Sequence, residues 1–301
     1  MLKPRHILFI IFIVCALATN STAQTGAQRV RLAVLDFGGS ETGRSVASKL
    51  ALLLSSNNDF SLIDRDESLV AARGAGYTGS LNMTLQEARD LGAAIGTDFF
   101  ITGDAQTLRR SSSARPSYYE AYASIFIVSA RTGRLVMWDR ISFEEATSDE
   151  ASKALLKELK ESAARYAQTI RVAEELERNE RAQLIERAGA ASQTPVVEDA
   201  PDDEAAAARE GLRLPQPYRR LRPAYPDSAA RAEAEATVDV QIELDTEGEV
   251  SRVEVVRWAG FGLDEAAVNT VRQLHFRPAM RNGVPVPMRV LLRYNFRKPA
   301  K

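Results

Sequence analysis

Few side chains in this 301-residue sequence could do chemistry. It has one cysteine, Cys15, and two histidines, His6 and His275. Cys15 and His6 fall in a segment with the pattern of a cleaved signal peptide, so one imidazole and no thiol remain after export. Thiol catalysis and a multi-histidine metal site are thereby excluded, and a Ser-His-Asp triad would depend on His275 alone. We predict no enzyme, no catalytic residue, no metal and no cofactor.

One glycine-rich loop has the spacing of a phosphate-binding loop. Residues 38–45 read Gly-Gly-Ser-Glu-Thr-Gly-Arg-Ser, after an apolar run and before a helical pattern. Arg44 stands where such loops carry lysine, and Glu41 would place a carboxylate inside the anion-binding turn, which opposes phosphate binding. We therefore interpret the loop as an ordinary strand-to-helix turn and expect no nucleotide. The formal net charge of −1 lacks the basic excess of a nucleic-acid binder, so no nucleic acid is expected either.

The last strand pattern points to binding rather than catalysis. Every second residue is apolar, at Val286, Met288, Val290, Leu292, Tyr294 and Phe296. The alternate positions are occupied by Pro287, Arg289, Leu291, Arg293, Asn295 and Arg297. Such alternation predicts a half-buried strand whose second face meets solvent. The arginines either guard a sheet edge against pairing or border an edge that accepts an extended, acidic or polar peptide.

The first 23 residues carry the three regions of a secretory signal peptide. Residues 1–6 are basic, residues 7–18 are apolar, and small residues precede Gln24. The apolar run is about 12 residues, short of the ~20 that a membrane-spanning helix needs. We predict cleavage after Ala23 and export to the periplasm, with peripheral attachment to the outer membrane left open.

Residues 24–146 predict an α/β layer domain with a mixed sheet. Apolar strand patterns at 31–37, 60–64, 98–105 and 118–130 alternate with helical patterns, and Thr84-Leu-Gln-Glu87 is a capping box that opens one helix. A second capping box at Thr147 opens a long helix over 147–188, whose nearly all-charged end should project from the domain. Residues 189–217 are acidic and rich in alanine and proline, so we predict a disordered linker there.

Residues 218–298 predict a small β-β-α-β domain. A strand at 237–244 turns at Asp245-Thr-Glu-Gly248 into a second strand at 250–258, and a helix at 263–274 precedes the final strand. This order resembles the C-terminal domain of TonB-family proteins over about 215–298, and Tyr225-Pro226 resembles the Tyr-Pro signature before that domain. The resemblance implies a binding function without chemistry, in which the last strand meets a short periplasmic peptide of an outer-membrane transporter.

The N-terminal pattern resembles the periplasmic domain of CsgG-type curli-secretion proteins and the N-terminal domain of TolB, over about 30–170. That resemblance rests on hydrophobic pattern, and no transmembrane hairpin is evident, so we do not predict a pore. The expected fold class is α+β.

We thus predict an exported, non-enzymatic envelope protein that binds an extended peptide, such as one of a TonB-dependent outer-membrane receptor, in transport-related coupling. Arg289, Leu291, Arg293 and Asn295 are the predicted contacts; Tyr225 is either a contact or a packing residue. Reversing Arg289 and Arg293 to glutamate should weaken capture and leave the fold intact. The alternative is a periplasmic adaptor or secretion scaffold whose C-terminal domain forms a homodimer or contacts the cell wall.

Overall fold

The computed structural model describes residues 29–111, 113, 117–189, 197–201, 204–209 and 211–298. The predicted signal peptide, with Cys15 and His6, lies outside the described residues. The chain is α+β, as expected, and the two largest of the four sheets in its described part are centred on an N-terminal and a C-terminal unit that contact each other. No helix within the described ranges is both long and apolar enough to span a membrane.

The N-terminal unit is a mixed sheet between two helical layers. Its elements are β1 (Val30–Val34), α1 (Glu41–Ser55), β2 (Phe60–Leu62), α2 (Arg65–Gly74), β3 (Met83–Thr84), α3 (Leu85–Ile95), β4 (Phe99–Arg110), β5 (Tyr118–Ser129), β6 (Leu135–Glu145) and α4 (Ser148–Gly189). The strand order is β2-β1-β4-β5-β6, with β1 parallel to both neighbours and β4, β5 and β6 antiparallel. This is the predicted mixed sheet.

Side-chain periodicity explains the two helical layers. Val46 and Leu50 of α1 and Leu155 and Tyr166 of α4 are buried against one face of the sheet. The α4 side chains beyond Ala173 include the exposed Leu176, Leu184 and Ile185, so the end of this helix meets solvent. The predicted capping box at α3 is present: Glu87 N donates to Thr84 Oγ1, and Thr84 N donates to a Glu87 carboxylate oxygen.

The glycine-rich loop is the strand-to-helix turn that the sequence favoured. Ser40 is the N-cap of α1, and its hydroxyl accepts from Gly43 N at 2.8 Å while donating to the carbonyl of Ala105 at 2.6 Å. Arg44 Nη1 donates to the carbonyl of Gly39. Its own side chains thus satisfy this loop's polar groups.

The C-terminal unit is a three-stranded antiparallel sheet with helices on one face. Its elements are β7 (Glu198–Asp199), α5 (Glu204–Arg209), β8 (Leu212–Arg213), β9 (Gln216–Pro217), α6 (Asp227–Ala232), β10 (Ala236–Leu244), β11 (Val250–Trp258), α7 (Leu263–Val271), β12 (Phe276–Arg277), β13 (Ala279–Arg281), β14 (Val284–Val286) and β15 (Met288–Phe296). The order β11-β10-β15 puts β10 in the centre, and the core includes Val240, Ile242, Leu263, Ala267 and Phe296.

The disordered linker predicted over 189–217 is wrong for its described residues. β7 pairs with β15, β8 with β13 and β9 with β12. Ala207 and Leu212 are buried with Ala279 and Met288 in a small cluster. The acidic composition suggested too little apolar surface to fold alone, but these few apolar residues pack on a surface that the C-terminal unit supplies.

A candidate partner-binding edge on the C-terminal sheet

The N-terminal unit covers the outer edge of β11 over its last two residues. β3 adds to it as an antiparallel strand, pairing Thr84 with Arg257 and Met83 with Trp258. Asn82 Nδ2 donates to the carbonyls of Thr237 at 2.8 Å and Trp258 at 2.6 Å, which ties the loop before β3 to two strands. The sheet therefore has one of its two edges occupied near the end of β11 by the N-terminal unit.

Aromatic side chains from the loop after β11 complete this contact. Trp258 is 2% exposed and its Nε1 donates to the carbonyl of Gly133 at 2.9 Å. Phe261 meets the Phe126 ring edge-on, with centroids 5.4 Å apart. Gly260, which lies between Trp258 and Phe261 in the sequence, has a φ of 71°, and a Cβ there would lie 2.5 Å from the Phe126 ring. The two units thus share one apolar core at this point.

Asp264 supports that loop from the start of α7. Its carboxylate accepts from Ala259 N at 2.9 Å and from Gly260 N at 2.8 Å. Burial raises the pKa of Asp264 from 3.8 to about 6, partly opposed by these two hydrogen bonds. The ionised carboxylate is therefore held in the loop at a cost in desolvation.

The titration of Asp264 gives a stability prediction. Because its pKa is higher in the folded chain than in the unfolded chain, its contribution is fully present below about pH 4 and is lost as pH rises through about 6. We expect the unfolding free energy of the parent chain, relative to Asp264→Asn, to fall by roughly 2–3 kcal/mol between pH 4 and pH 7. Urea unfolding of both chains across this range measures it; parallel pH curves would contradict the assignment.

The outer edge of β15 is paired over only two residues among those described. β15 pairs along its length with β10, from Ala236–Phe296 to Leu244–Met288. On its other side, among the described residues, the only paired strand is β7, at Met288 and Arg289. Ala200 N donates to the carbonyl of Arg289 at 2.8 Å, so the backbone groups of Arg289 point outward. Backbone groups alternate along a strand, so those of Leu291, Arg293 and Asn295 also point outward.

The side chains of β15 follow the predicted parity. Phe296 is buried in the C-terminal core, on which Val290, Leu292 and Tyr294 pack, and Met288 is buried in the small cluster. Leu291 is 54% exposed on the opposite face. The predicted contacts Arg289, Leu291, Arg293 and Asn295 are thus the residues whose backbone groups face away from β10. The structure brings these four together as one outer edge.

The arginines on this strand are already paired within the chain. Arg293 forms a two-point contact with Asp239, at 2.7 Å from Nε and 3.0 Å from Nη2. Arg289 lies 3.1 Å from both Asp199 and Glu243. Neighbouring carboxylates raise the pKa of both guanidinium groups. Asp239 and Glu243 belong to the central strand β10, whereas Asp199 belongs to β7.

Asn295 and Tyr225 have internal partners. Thr237 Oγ1 donates to Asn295 Oδ1 at 2.8 Å. The Tyr225 hydroxyl donates to the carbonyl of Ala234 at 2.8 Å, and its ring packs on the C-terminal core. Of the two roles left open for Tyr225, the structure shows packing. His275 is exposed, with Nδ1 3.0 Å from Glu249, away from the edge.

Sequence reasoning missed the residues that neutralise and border the edge. Glu198 pairs with Arg281, and Asp199 with Arg289, so the acidic stretch contacts the arginine-bearing surface directly. The available signal was the proximity of an acidic cluster and a basic row in one small domain. The docking role of Asn82 and Trp258 had no sequence signal, because it depends on contacts over 155 to 176 residues of chain.

A crevice of about 740 Å³ lies in the N-terminal unit, beside the end of β1 and the middle of β4. It is lined by Asp36, Arg73, Tyr77 and Asp104, among others. Tyr77 bonds Thr102, and burial raises its pKa to about 12. Tyr122 donates to Asp104 at 2.7 Å, and burial raises the pKa of Tyr122 too. Burial thus favours the neutral form of both phenols.

Comparisons with solved structures give low identities. The solution structure of the Pseudomonas aeruginosa TonB CTD is 19% identical, with a TM-score of 0.26, and the match covers 29% of this chain and 89% of that one. E. coli LpoB is 14% identical, with a TM-score of 0.29, and the match covers 40% of this chain and 59% of that one. The lipoprotein GNA1162 from Neisseria meningitidis is 13% identical, with a TM-score of 0.31, and the match covers 46% of this chain and 98% of that one. No curated protein matches the chain.

The two resemblances expected from the sequence have different outcomes. That of the N-terminal unit to CsgG-type proteins and TolB stays a prediction. Residues 222–297 match the family model for the C-terminal domain of the Gram-negative bacterial TonB protein, so the chain carries a TonB-like C-terminal domain.

Proposed function

We propose that this chain is a non-enzymatic exported protein of the Gram-negative envelope and binds an extended segment of a partner along the outer edge of β15. The observation that carries the proposal is the row of outward-pointing backbone groups at Leu291, Arg293 and Asn295, which no strand among the described residues covers. An added strand would satisfy these groups and extend the sheet. At the other edge of the sheet, β3 pairs with the last two residues of β11.

The TonB-like domain supports a partner in the envelope. The partner that we propose is a periplasmic peptide of a TonB-dependent outer-membrane receptor, with transport-related coupling as the role. Backbone pairing would supply the affinity, and the exposed Leu291 side chain would contact the residues of the added strand on that face.

One observation favours the alternative, an adaptor or secretion scaffold. The C-terminal unit is fixed to the N-terminal unit by β3, Asn82 and Trp258 rather than held on a free tether. A fixed orientation suits a scaffold, in which two copies would pair their β15 edges around a two-fold axis. A proposed homodimer of this kind uses the same backbone groups as peptide capture.

The test blocks the backbone of the edge and leaves its charges unchanged. Leu291→Pro removes an N–H that points away from β10, so the β10–β15 ladder is kept, and proline is tolerated at such edge positions. Leu291→Ala is the matched control, because it shortens the side chain and keeps the N–H. The probes are fluorescent peptides copying the periplasmic N-terminal segments of TonB-dependent receptors, each with a scrambled version.

We expect Leu291→Pro to weaken binding at least about tenfold, as loss of one or two hydrogen bonds implies, and Leu291→Ala to weaken it about threefold or less. Fluorescence anisotropy measures both, and thermal melting checks the fold. Equal affinity of the parent and proline chains, or no binding by the parent chain, would contradict peptide capture. Self-association that is lost in Leu291→Pro, measured by sedimentation velocity, would instead support the scaffold.

A further inference from the structure

The acidic segment, defined here as residues 197–201, occupies one end of the proposed binding edge. It runs parallel to β15, pairing Glu198 with Met288 and Asp199 with Arg289. Within the segment, Ala200 N also donates a hydrogen bond to the carbonyl of Arg289. A foreign strand that used all outward-pointing groups from Arg289 to Asn295 would need this position. The chain's own segment and a full-length partner strand therefore exclude each other.

Charge contacts fix the chemistry of the strand that fits this end. Glu198 pairs with Arg281 and Asp199 with Arg289, so two adjacent carboxylates meet two arginines from different strands. Arg293, by contrast, is committed to the buried Asp239. Arg281 and Arg289 are thus the arginines at this edge that pair with a carboxylate of the added strand, Arg289 in addition to Glu243.

The acidic segment is held by few contacts. The side chains of Glu198 and Asp199 are 53% and 72% exposed, and exposed ion pairs contribute little. Ala207 and Leu212, which are buried with Met288, anchor the chain about six residues further on. Release of residues 197–201 leaves that anchor in place and keeps the segment within about 20 Å of the edge. A tethered segment of this kind rebinds at a millimolar effective concentration.

We propose that the β15 edge selects acidic extended segments and that residues 197–201 are its resident competitor, which a partner strand displaces. This inference rests on the proposed function of the edge. The apparent dissociation constant of a partner equals its intrinsic value divided by the fraction of time that the edge is free. Weakening the acidic segment should therefore tighten partner binding, whereas weakening the edge should loosen it.

Two variants weaken the acidic segment by independent routes. Glu198→Gln with Asp199→Asn removes both ion pairs without changing side-chain size. Ala200→Pro removes the N–H that bonds Arg289 and changes no charge. Glu175→Gln with Glu186→Gln is the matched control, because it removes the same charge from exposed positions on α4.

The probe is the labelled peptide Val-Val-Glu-Asp-Ala-Thr-Val-Thr-Val. It copies residues 196–200 and continues with four strand-forming residues opposite Leu291 to Tyr294. Its companion carries two lysines in place of Glu-Asp. All measurements use the full chain, by fluorescence anisotropy.

We expect both segment variants to bind the acidic probe about three- to tenfold more tightly than the parent, which corresponds to resident occupancy of about 67–90%. The control should match the parent, and the lysine probe should bind less tightly than the acidic probe in every chain. If the segment variants and the parent bind equally while Leu291→Pro still weakens binding, peptide capture stands and this inference fails. If no chain binds either probe, this inference fails, and the receptor peptides described above test peptide capture separately. Self-association that the segment variants abolish would show that the segment serves a second copy, and would also overturn the inference.

Discussion

Replacing Trp258 with alanine is expected to destabilise the protein by about 3–5 kcal/mol, the range found for buried aromatic residues truncated to alanine. Trp258 is 2% exposed, and its ring stacks on Phe126 with centroids 6.0 Å apart. The substitution also leaves the carbonyl of Gly133 without its indole donor. Packing and hydrogen bonding are lost together at the point where the two units share a core.

Urea unfolding of the full chain measures this effect, with Trp258→Phe as the matched variant. Phenylalanine keeps an aromatic ring against Phe126 and loses the N–H, so it should cost clearly less than alanine. We also expect the alanine chain to unfold with less cooperativity, because the two units would no longer depend on each other. A loss below about 1 kcal/mol in Trp258→Ala would mean that the contact between the units contributes little to stability.

Local sequence patterns predicted most elements of the fold. The capping box at Thr84 places the start of α3, and the alternation from Met288 to Phe296 gives the two faces of β15. These features depend on residues close in sequence, so periodicity and capping rules can detect them. The same holds for the turn at Ser40, where a short side chain caps α1.

Contacts between distant segments could not be predicted in this way. β3 has two residues, too few for a strand pattern, and it forms because β11 offers an open edge. Residues 189–217 read as a linker because their apolar residues are sparse, but Ala207 and Leu212 are buried with Met288 and Ala279. The arginines of β15 looked free because the register that places Asp239 beside Arg293 is not visible in a single strand.

These contacts also change what the C-terminal unit can do. Its attachment by β3 and Trp258 fixes the direction in which the β15 edge faces relative to the N-terminal unit. A partner strand would therefore be presented in one orientation to whatever the N-terminal unit contacts. This geometry suits an adaptor that positions a captured segment as well as it suits simple capture.

Arg293→Glu is expected to lower the melting temperature by about 5 °C or more, whereas Arg289→Glu should lower it by about 2 °C or less. Asp239 is 4% exposed and lies between Arg293 and Arg257, whose Nε is 3.4 Å away. A glutamate at 293 would place a second carboxylate beside this buried one. The acids around Arg289 are more exposed, so water screens the same reversal there.

A double-variant cycle separates repulsion from simple loss of a contact. Asp239→Asn removes the buried charge, so Arg293→Glu should cost much less in that background than in the parent, while Arg289→Glu should cost about the same in both. Equal losses for the two arginine reversals, or no rescue by Asp239→Asn, would contradict the role assigned to Asp239. The outcome also decides how the edge can be probed: if Arg293 holds the fold, reversing Arg289 and Arg293 together confuses unfolding with lost binding. The expectation that this double reversal leaves the fold intact then fails, and blocking the backbone at Leu291 is the cleaner measurement.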